Sequence, residues 1–554
     1  DLSALTKGLA AEASVSFDNI GGMNETTNKE YRYMNSNASI TSDGTLVTTP
    51  AIYGTDSETL GHTQPFERLM LRSDFQAKVD YNRTFGKHQV RGALIYDMQS
   101  VVKNGRNNSQ KNQSVLVNAT YTYDNRYSLN AVFNRSGSAY LPDGDKYSNY
   151  PAVSAAWIVS NEAFMEKVTP INLFKIRASY GLSGWDGNLS HELWRQSYGS
   201  GGAGYNFGVN AGGQSGGSEG DLPVIGLVAE KSQKATFGFD LAAFDNRLNA
   251  TVEGFYEKRS DILVSGANST SGIIGITVGQ VNEGIYKYKG VDASLSWNDK
   301  IGDFHYGIGA SMSYLNTEVV NVNQAYQEYD YLYTKGNRIG QMYGLEAIGF
   351  FNSQQEINNS PQQTFSDVAP GDVKYKDQNG DNRIDEKDIV KMFGSSVPRF
   401  YFGFNLNFSY KRLELSADFQ GMTGVTVSLL NSPLYSPLVS NGNISNTFLN
   451  EEISWTPENK TNATMPRLTT QENLNNYRAS SLWYRDGSFL KLRNLLVAYT
   501  FPKSQTRFAD LKVFVQGTNL FSLDNIHFAD PEQLGIAYPC LLYTSPSPRD
   551  GATS

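Results

Sequence analysis

The feature that most narrows what this chain can fold into is a two-residue period in side-chain polarity that returns segment after segment. In residues 127–133, Tyr127, Leu129, Ala131 and Phe133 share one face while Ser128 and Asn130 take the other, as in an extended strand whose successive side chains point to opposite sides. The preceding run matches it: Val115, Val117, Ala119, Tyr121 and Tyr123 oppose Asn118, Thr120 and Thr122, and Asp124-Asn125-Arg126 supplies a turn. The unit recurs at Phe237 and Phe239, through a turn at 245–247, into Leu248, Ala250, Val252 and Tyr256. It recurs from Val291 to Trp297, from Phe304 to Tyr314, and from Phe400 to Tyr410 returning through Leu413 to Phe419.

A soluble sandwich would alternate too, so the connections decide between the two. Short turns fall near 84–87, 124–126, 245–247, 299–303, 411–412 and 502–507, whereas the links between hairpins, about 184–229, 317–398 and 421–486, are far longer. Compact domains rarely carry structureless loops beyond roughly 12–15 residues. Short turns on one rim and long loops on the other characterise transmembrane barrels, with the short turns periplasmic and the long loops extracellular. The expectation is an all-β, transmembrane antiparallel β-barrel with roughly sixteen strands, fewer than the roughly 22 of the largest plugged transporters. Its apolar face meets lipid and its polar face lines the lumen. Aromatics near strand ends, among them Tyr123, Tyr127, Trp297, Phe304 and Tyr499, suit the membrane interfaces.

Composition agrees. Tyr 33, Phe 29 and Gly 51 beside 18% charged residues favour strands and turns. A net charge of −8 without a Lys/Arg run leaves no footprint for nucleic acid. No apolar stretch reaches the roughly 18 residues of a membrane helix. The segment Asp1–Ala10 has no signal-peptide pattern, which leads us to expect an upstream portion. The single cysteine, Cys540, excludes an intramolecular disulfide and CxxC metal motifs.

Several segments, in order, resemble SusC-like TonB-dependent transporters from about Lys7 to Pro539: Tyr150 to Trp157 with Lys175 to Gly181, Lys289-Gly290-Val291-Asp292, Gly371 to Tyr375 with Asp377 to Asp381, and Gly394 to Phe400. Ser488 to Asn494, Tyr499 to Pro502, Gly517 to Phe521 and Asp530-Pro531-Glu532 complete the series. The resemblance implies an outer-membrane importer of oligosaccharides, or sometimes peptides, working with a SusD-like surface lipoprotein and coupled to TonB. The family's amino-terminal plug and TonB-contacting box have no counterpart here. Residues 1–539 are therefore expected to form a carboxy-terminal barrel portion lacking the plug domain and the first strands. The tail, residues 540–554, has Pro546 and Pro548 where a last alternating strand should end, and reads as non-native sequence.

Candidate sites lie in the long loops. Trp185, Trp194, Tyr329, Tyr331, Tyr333, Trp455 and Trp483 offer flat rings on which sugar faces stack, or they pack the loops upon themselves. Asp377, Asn379, Asp381, Asp385 and Asp388 occupy positions 1, 3, 5, 9 and 12 of an EF-hand-like spacing, with Ile384 at the apolar eighth. Position 6 is Asn382 instead of Gly, and position 12 is Asp instead of Glu. Two readings follow, a Ca²⁺ site or an Asx-rich turn. No cofactor is required for such import. The GxSxG match at Gly213–Gly217 lies in a Gly/Ser-rich stretch expected to be a flexible loop. The scattered histidines and the pair Glu451 and Glu452 give no catalytic constellation. The competing classes are a secreted β-rich glycan-active enzyme and a surface adhesin.

Overall fold

The computed structural model describes most of residues 2–532; residues 432–452, 533–554 and short stretches such as 41–44, 104–108, 191–192, 207–212 and 269–272 fall outside the description. The tail after Pro539, Glu451 and Glu452, His191 and His527 therefore lie outside the described residues.

One antiparallel sheet of fifteen strands dominates, against the roughly sixteen expected from sequence. In chain order the strands are β1 (Leu9–Met23), β2 (Phe66–Phe85), β3 (His88–Lys103), β4 (Ser109–Tyr123), β5 (Tyr127–Ser138), β6 (Tyr147–Ile158), β7 (Ile171–Trp185), β8 (Glu230–Ala243), β9 (Leu248–Ser265), β10 (Gln280–Ile301), β11 (Phe304–Asn321), β12 (Phe400–Tyr410), β13 (Leu413–Thr423), β14 (Phe489–Phe501) and β15 (Leu511–Asp524). Each pairs with its predecessor and its successor, so the sheet is an unbroken meander with β1 and β15 at its edges. The fold is an incomplete antiparallel barrel wall.

Connections alternate without exception. On one rim the links are 86–87, 124–126, 159–170, 244–247, 302–303, 411–412 and 502–510; on the other they are 24–65, 104–108, 139–146, 186–229, 266–279, 322–399 and 424–488. The tightest turns use left-handed backbone: Asp124 and Asn125 have φ of 52° and 53°, and Gly86 and Gly302 have 57° and 60°. That backbone matches the twist of the strands it joins.

The register carries the alternation from strand to strand. Leu129 faces Ala155, Ala155 faces Ala178, Ala178 faces Phe237, Phe237 faces Gly254, Gly254 faces Val291 and Val291 faces Tyr314. This apolar belt is the more exposed face: Phe133 is 46% and Phe237 63% accessible. The polar set beside it, Ser128, Asn130, Ser154 and Ser179, is less exposed because it lines the concave side. A water-soluble sheet would show the opposite pattern, which marks the outward face as hydrocarbon-facing.

Paired rings gird the short-turn rim: Tyr127 stacks on Trp157 at 6.4 Å and Phe304 on Phe408 at 6.1 Å, and Phe244 lies tilted against Trp297 at 5.9 Å. Tyr127 Oη and Trp157 Nε1 both donate to Glu162 Oε1, at 2.6 and 3.0 Å, and Arg126 donates to its Oε2 at 2.9 Å. These donors, the Tyr127 hydroxyl first, hold the Glu162 carboxyl below its ordinary pKa. Each ring thus keeps an apolar body and a wet, bonded tip, as interfacial aromatics require.

Neighbours Ala293 and Ser294 on β10 face hydrocarbon and lumen respectively. Ala293→Arg should destabilise the barrel by about 2–4 kcal/mol while Ser294→Arg should cost under about 1 kcal/mol, read as the midpoint of denaturant-driven extraction from bilayers. Equal costs at the two positions would contradict the assignment of faces.

Candidate functional site

The luminal wall is built from the polar half of the alternation. A cavity of about 590 Å³ on the inner face of β8–β13 is lined by Asp240, Asn249, Thr251, Ser294, Asn405 and Asp418, among others. Lys175 and Arg177 project to the same side from β7. Arg177 pairs with Glu253 and, at 3.4 Å, with Asp240, which Lys175 also reaches at 3.3 Å. Nearer the long-loop rim, Arg259 pairs with Glu257 at 2.6 Å and lies 4.9 Å from the Tyr288 ring centre. Gly290 makes room there, since a Cβ would stand 2.7 Å from the Phe255 ring and 2.1 Å from Tyr314 O. This side of the wall thus presents hydroxyls, amides and paired charges.

Above it, the two longest links fold on each other. Leu345, Val373, Tyr375 and Ile384 form one buried cluster, Leu429, Met465 and Trp483 another, and Leu482 packs against both. Asp372, fully buried, ties them together: its carboxylate accepts from Arg467 Nε at 2.7 Å and Nη2 at 3.2 Å, from Asn473 at 3.1 Å, from Asn476 at 2.9 Å and from Ala369 N at 2.7 Å. Tyr375 donates to Asn475 O at 2.7 Å, and burial pushes its phenol pKa up strongly. A third cluster, Leu141, Leu189, Val224, Leu227 and Ala229, joins the link after β5 to the one after β7.

The candidate aromatics divide accordingly. Trp483 is fully buried, donates to Asn476 O at 2.7 Å and stacks on Tyr477 at 5.5 Å; Trp455 is buried against Gly371, where a Cβ would stand 2.4 Å from its ring and φ is +94°. These two rings sit in the loop core. Trp194 is half-buried against the third cluster with the Arg195 guanidinium 4.4 Å from its ring centre. Tyr333 accepts from Gln327 N at 3.0 Å and is half-buried within its own loop. Tyr329 and Tyr331 stack at 5.3 Å as a half-exposed pair, with Tyr331 Oη donating to Lys387 O at 2.7 Å, and Trp185 at the end of β7 is 55% exposed. The Gly213–Gly217 stretch, expected to be a flexible loop, instead begins a strand, Gly213–Glu219, paired with Tyr198–Asn206.

In the 377–388 loop the side-chain oxygens turn onto main-chain N–H groups. Asp377 accepts from Gly380 and Asn382, Asn379 from Asp381, Asp381 from Arg383, Asp385 from Lys387, and Asp388 from Gln378 and Asp385. Asn382 supplies the left-handed residue, φ 62°, that glycine supplies at the sixth position of a calcium loop. Among the described residues no three His, Cys, Asp or Glu side chains come together so as to hold a metal ion. The bonds seen are those of an Asx-braced turn.

Sequence reasoning missed one pairing that the structure makes plain. The segment Ser488–Asn494 and the triplet Asp530–Glu532 meet: Lys491, 3% exposed, bonds Asp530 at 2.5 Å and Glu532 at 2.7 Å, and Arg493 reaches Glu532 at 2.6 Å. Burial works against both carboxylates, but the Lys491 and Arg493 bonds outweigh it and hold Asp530 and Glu532 below their ordinary pKa.

No family model matches the chain. It is 29% identical over 426 residues to the TonB-dependent receptor P26 of Formosa agariphila, covering 74% of this chain and 42% of that protein. It is 22% identical over 443 residues to the TonB-dependent receptor SusC of Bacteroides thetaiotaomicron, covering 74% and 40%. The chain thus spans under half the length of these curated relatives. A solved RagAB peptide transporter superposes with a TM-score of 0.68 at 17% identity, over 95% of this chain and 60% of that one. Wall, rim parity and the superposition show the barrel fold of an outer-membrane transporter, and in sequence the chain is similar to TonB-dependent receptors, SusC among them.

Two expected outcomes follow from the geometry. Asp388→Ala, which strips the partners from two main-chain N–H groups, should destabilise the loop by about 2–3 kcal/mol with or without added Ca²⁺, as read by hydrogen exchange at 377–388; protection that depends on millimolar Ca²⁺ would favour the metal reading. For Asp530 and Glu532, whose folded pKa values lie below the unfolded ones, stabilisation is complete above the ordinary carboxylate range and is lost as pH falls through the folded values. Limited proteolysis near 525–532 should therefore be slow at pH 7 and accelerate below about pH 4, and Lys491→Met should abolish that step.

Proposed function

We propose that the chain is the wall and loop assembly of an outer-membrane importer that passes a nutrient, oligosaccharide first among candidates, through its lumen. The observation that carries this reading is the coincidence of a lipid-type outer belt, a polar charge-paired inner wall and long links folded into a body of their own on one rim only. A sandwich adhesin or a secreted enzyme needs neither the outward belt nor the rim asymmetry. A SusD-like surface lipoprotein is the proposed partner at the long-loop rim, and TonB the proposed source of energy through the rest of the protein. Support for the first comes from likeness to SusC and to a RagAB transporter.

Oligosaccharide is favoured by the stacked Tyr329 and Tyr331 pair and the exposed Trp185, ring faces that suit sugar. Peptide is the second reading, supported by the superposition on a peptide transporter. Calcium at 377–388 would be structural if bound, bracing the loop beside Tyr331.

The test is uptake by cells carrying the full-length protein and its lipoprotein partner, supplied with labelled oligosaccharide or peptide pools. Trp185→Ala with Tyr329→Ala and Tyr331→Ala should raise the half-saturating oligosaccharide concentration up to about tenfold with surface levels unchanged. Undiminished sugar uptake together with lost peptide uptake would shift the assignment to peptides. Loss of neither would remove these rings from the substrate path.

A further inference from the structure

The outward face of β8–β11 is not uniform. Around Gly254 the belt opens into a groove of about 870 Å³ walled by Phe237, Phe239, Val252, Tyr256, Val291 and Tyr314. Its floor is bare main chain: a Cβ on Gly254 would meet only Phe237 O at 3.9 Å and Gly290 O at 4.0 Å. The groove is apolar, elongated along the strands and open to the hydrocarbon, which suits an acyl chain.

Immediately above it, toward the long-loop rim, the register places Lys289 beside Tyr256, and one step further Lys258 beside Lys287. All three share the outward parity of Tyr256 and Val291, since the intervening Phe255, Glu257, Arg259 and Tyr288 form the luminal cluster. Among the described residues none of the three lysines has a carboxylate partner within ion-pair distance. The neighbouring outward carboxylate, Glu318, lies across from Lys287 in the register but makes no ion pair with it, leaving the patch net positive by two charges. Lys231 on the adjoining strand is already paired with Asp261 at 3.0 Å. Three ammonium groups gathered where a hydrocarbon belt ends attract an anion at the membrane interface.

We propose that this face is a site for an outer-leaflet phosphoglycolipid, lipid A, with an acyl chain lying in the Gly254 groove and a phosphate held by Lys258, Lys287 and Lys289. The long-loop rim faces outside in barrels of this kind, so the lysines stand at the headgroup level of the outer leaflet. The fit is of charge and shape together: an acyl groove without cations would take any lipid, and cations without a groove would take any anion. The site is independent of the transported substrate, which uses the opposite face of the same strands.

Native mass spectrometry of the full-length protein released from bilayers containing diphosphoryl lipid A and phosphatidylethanolamine tests it. Lipid A should be retained at least about tenfold over phosphatidylethanolamine, from a contribution of roughly fivefold for each lysine near the membrane surface. Combined Lys258→Gln, Lys287→Gln and Lys289→Gln should abolish that preference, and dephosphorylated lipid A should behave like phosphatidylethanolamine. Gly254→Leu should weaken retention of both lipids by filling the groove; if that variant fails to assemble, the glutamine variant, which breaks no ion pair, decides alone. Retention unaffected by the glutamine changes, no preference for lipid A, or competition by inorganic phosphate without acyl chains would each overturn the proposal.

Discussion

Main-chain hydrogen bonding in hydrocarbon is the constraint on which everything else in this structure rests. Lipid offers no partner for an N–H or C=O group, and each one left bare costs several kcal/mol. Among the described residues the meander from β1 to β15 satisfies thirteen inner strands on both sides and leaves β1 and β15 each paired on one side. Such edges are not tolerated at membrane depth, so the wall is one arc of a closed cylinder. Antiparallel neighbours also put successive connections on opposite rims, and the longest of them, 186–229, 322–399 and 424–488, all lie on one rim, whereas the other carries links of two to twelve residues.

That division moves the hydrophobic core to an unusual place. In the wall, outward side chains bury against lipid rather than against protein, and the inner face is wet, so no side-chain core forms between strands. The buried clusters sit instead in the long links, around Leu345 and Val373, around Trp483, and around Leu227. Their cohesion depends on polar groups as much as apolar ones. Four side-chain donor atoms and one main-chain N–H converge on the Asp372 carboxylate, which has no exposed surface. Losing one partner would leave a buried charge unmatched, the costly case for such networks. The described parts of the long links therefore carry buried cores of their own.

The wall was legible in the sequence because its rule is local: a side chain two positions on faces the same solvent, so Val115 to Tyr123 and Tyr127 to Phe133 declare both strands and the turn between them. The loops obey no such period. Asp372 finds Arg467, Asn473 and Asn476 roughly a hundred positions away, and nothing near any of them marks the pairing. For the same reason Trp455 and Trp483 could be recognised as loop aromatics but not as loop core, and the stacking of Tyr329 on Tyr331 depends on a short 3-10 turn at Asp330–Leu332 that no two-residue period announces. The Asp/Asn run at 377–388 shows a further limit: ligand spacing and Asx-turn spacing use the same residues, and only the direction of their oxygens distinguishes them.

Where the alternation fails, it fails for a physical reason. Along β14 the outward residues are Leu490 and Leu492, then Leu495, Val497 and Tyr499, so the parity flips across Arg493, where the register with both neighbours shifts. An extra residue in one strand bends it and re-aims its side chains. Without the shift, a continuous two-residue count would send either the leucines above it or those below it into the lumen. With it, both sets stay in the belt, while Lys491 and Arg493 converge on Glu532 inside the wall. The bulge thus reconciles two demands that a regular strand cannot meet together, an unbroken oily exterior and a pair of cations aimed at one carboxylate, and it ties the segment after β15 to the strand that precedes it.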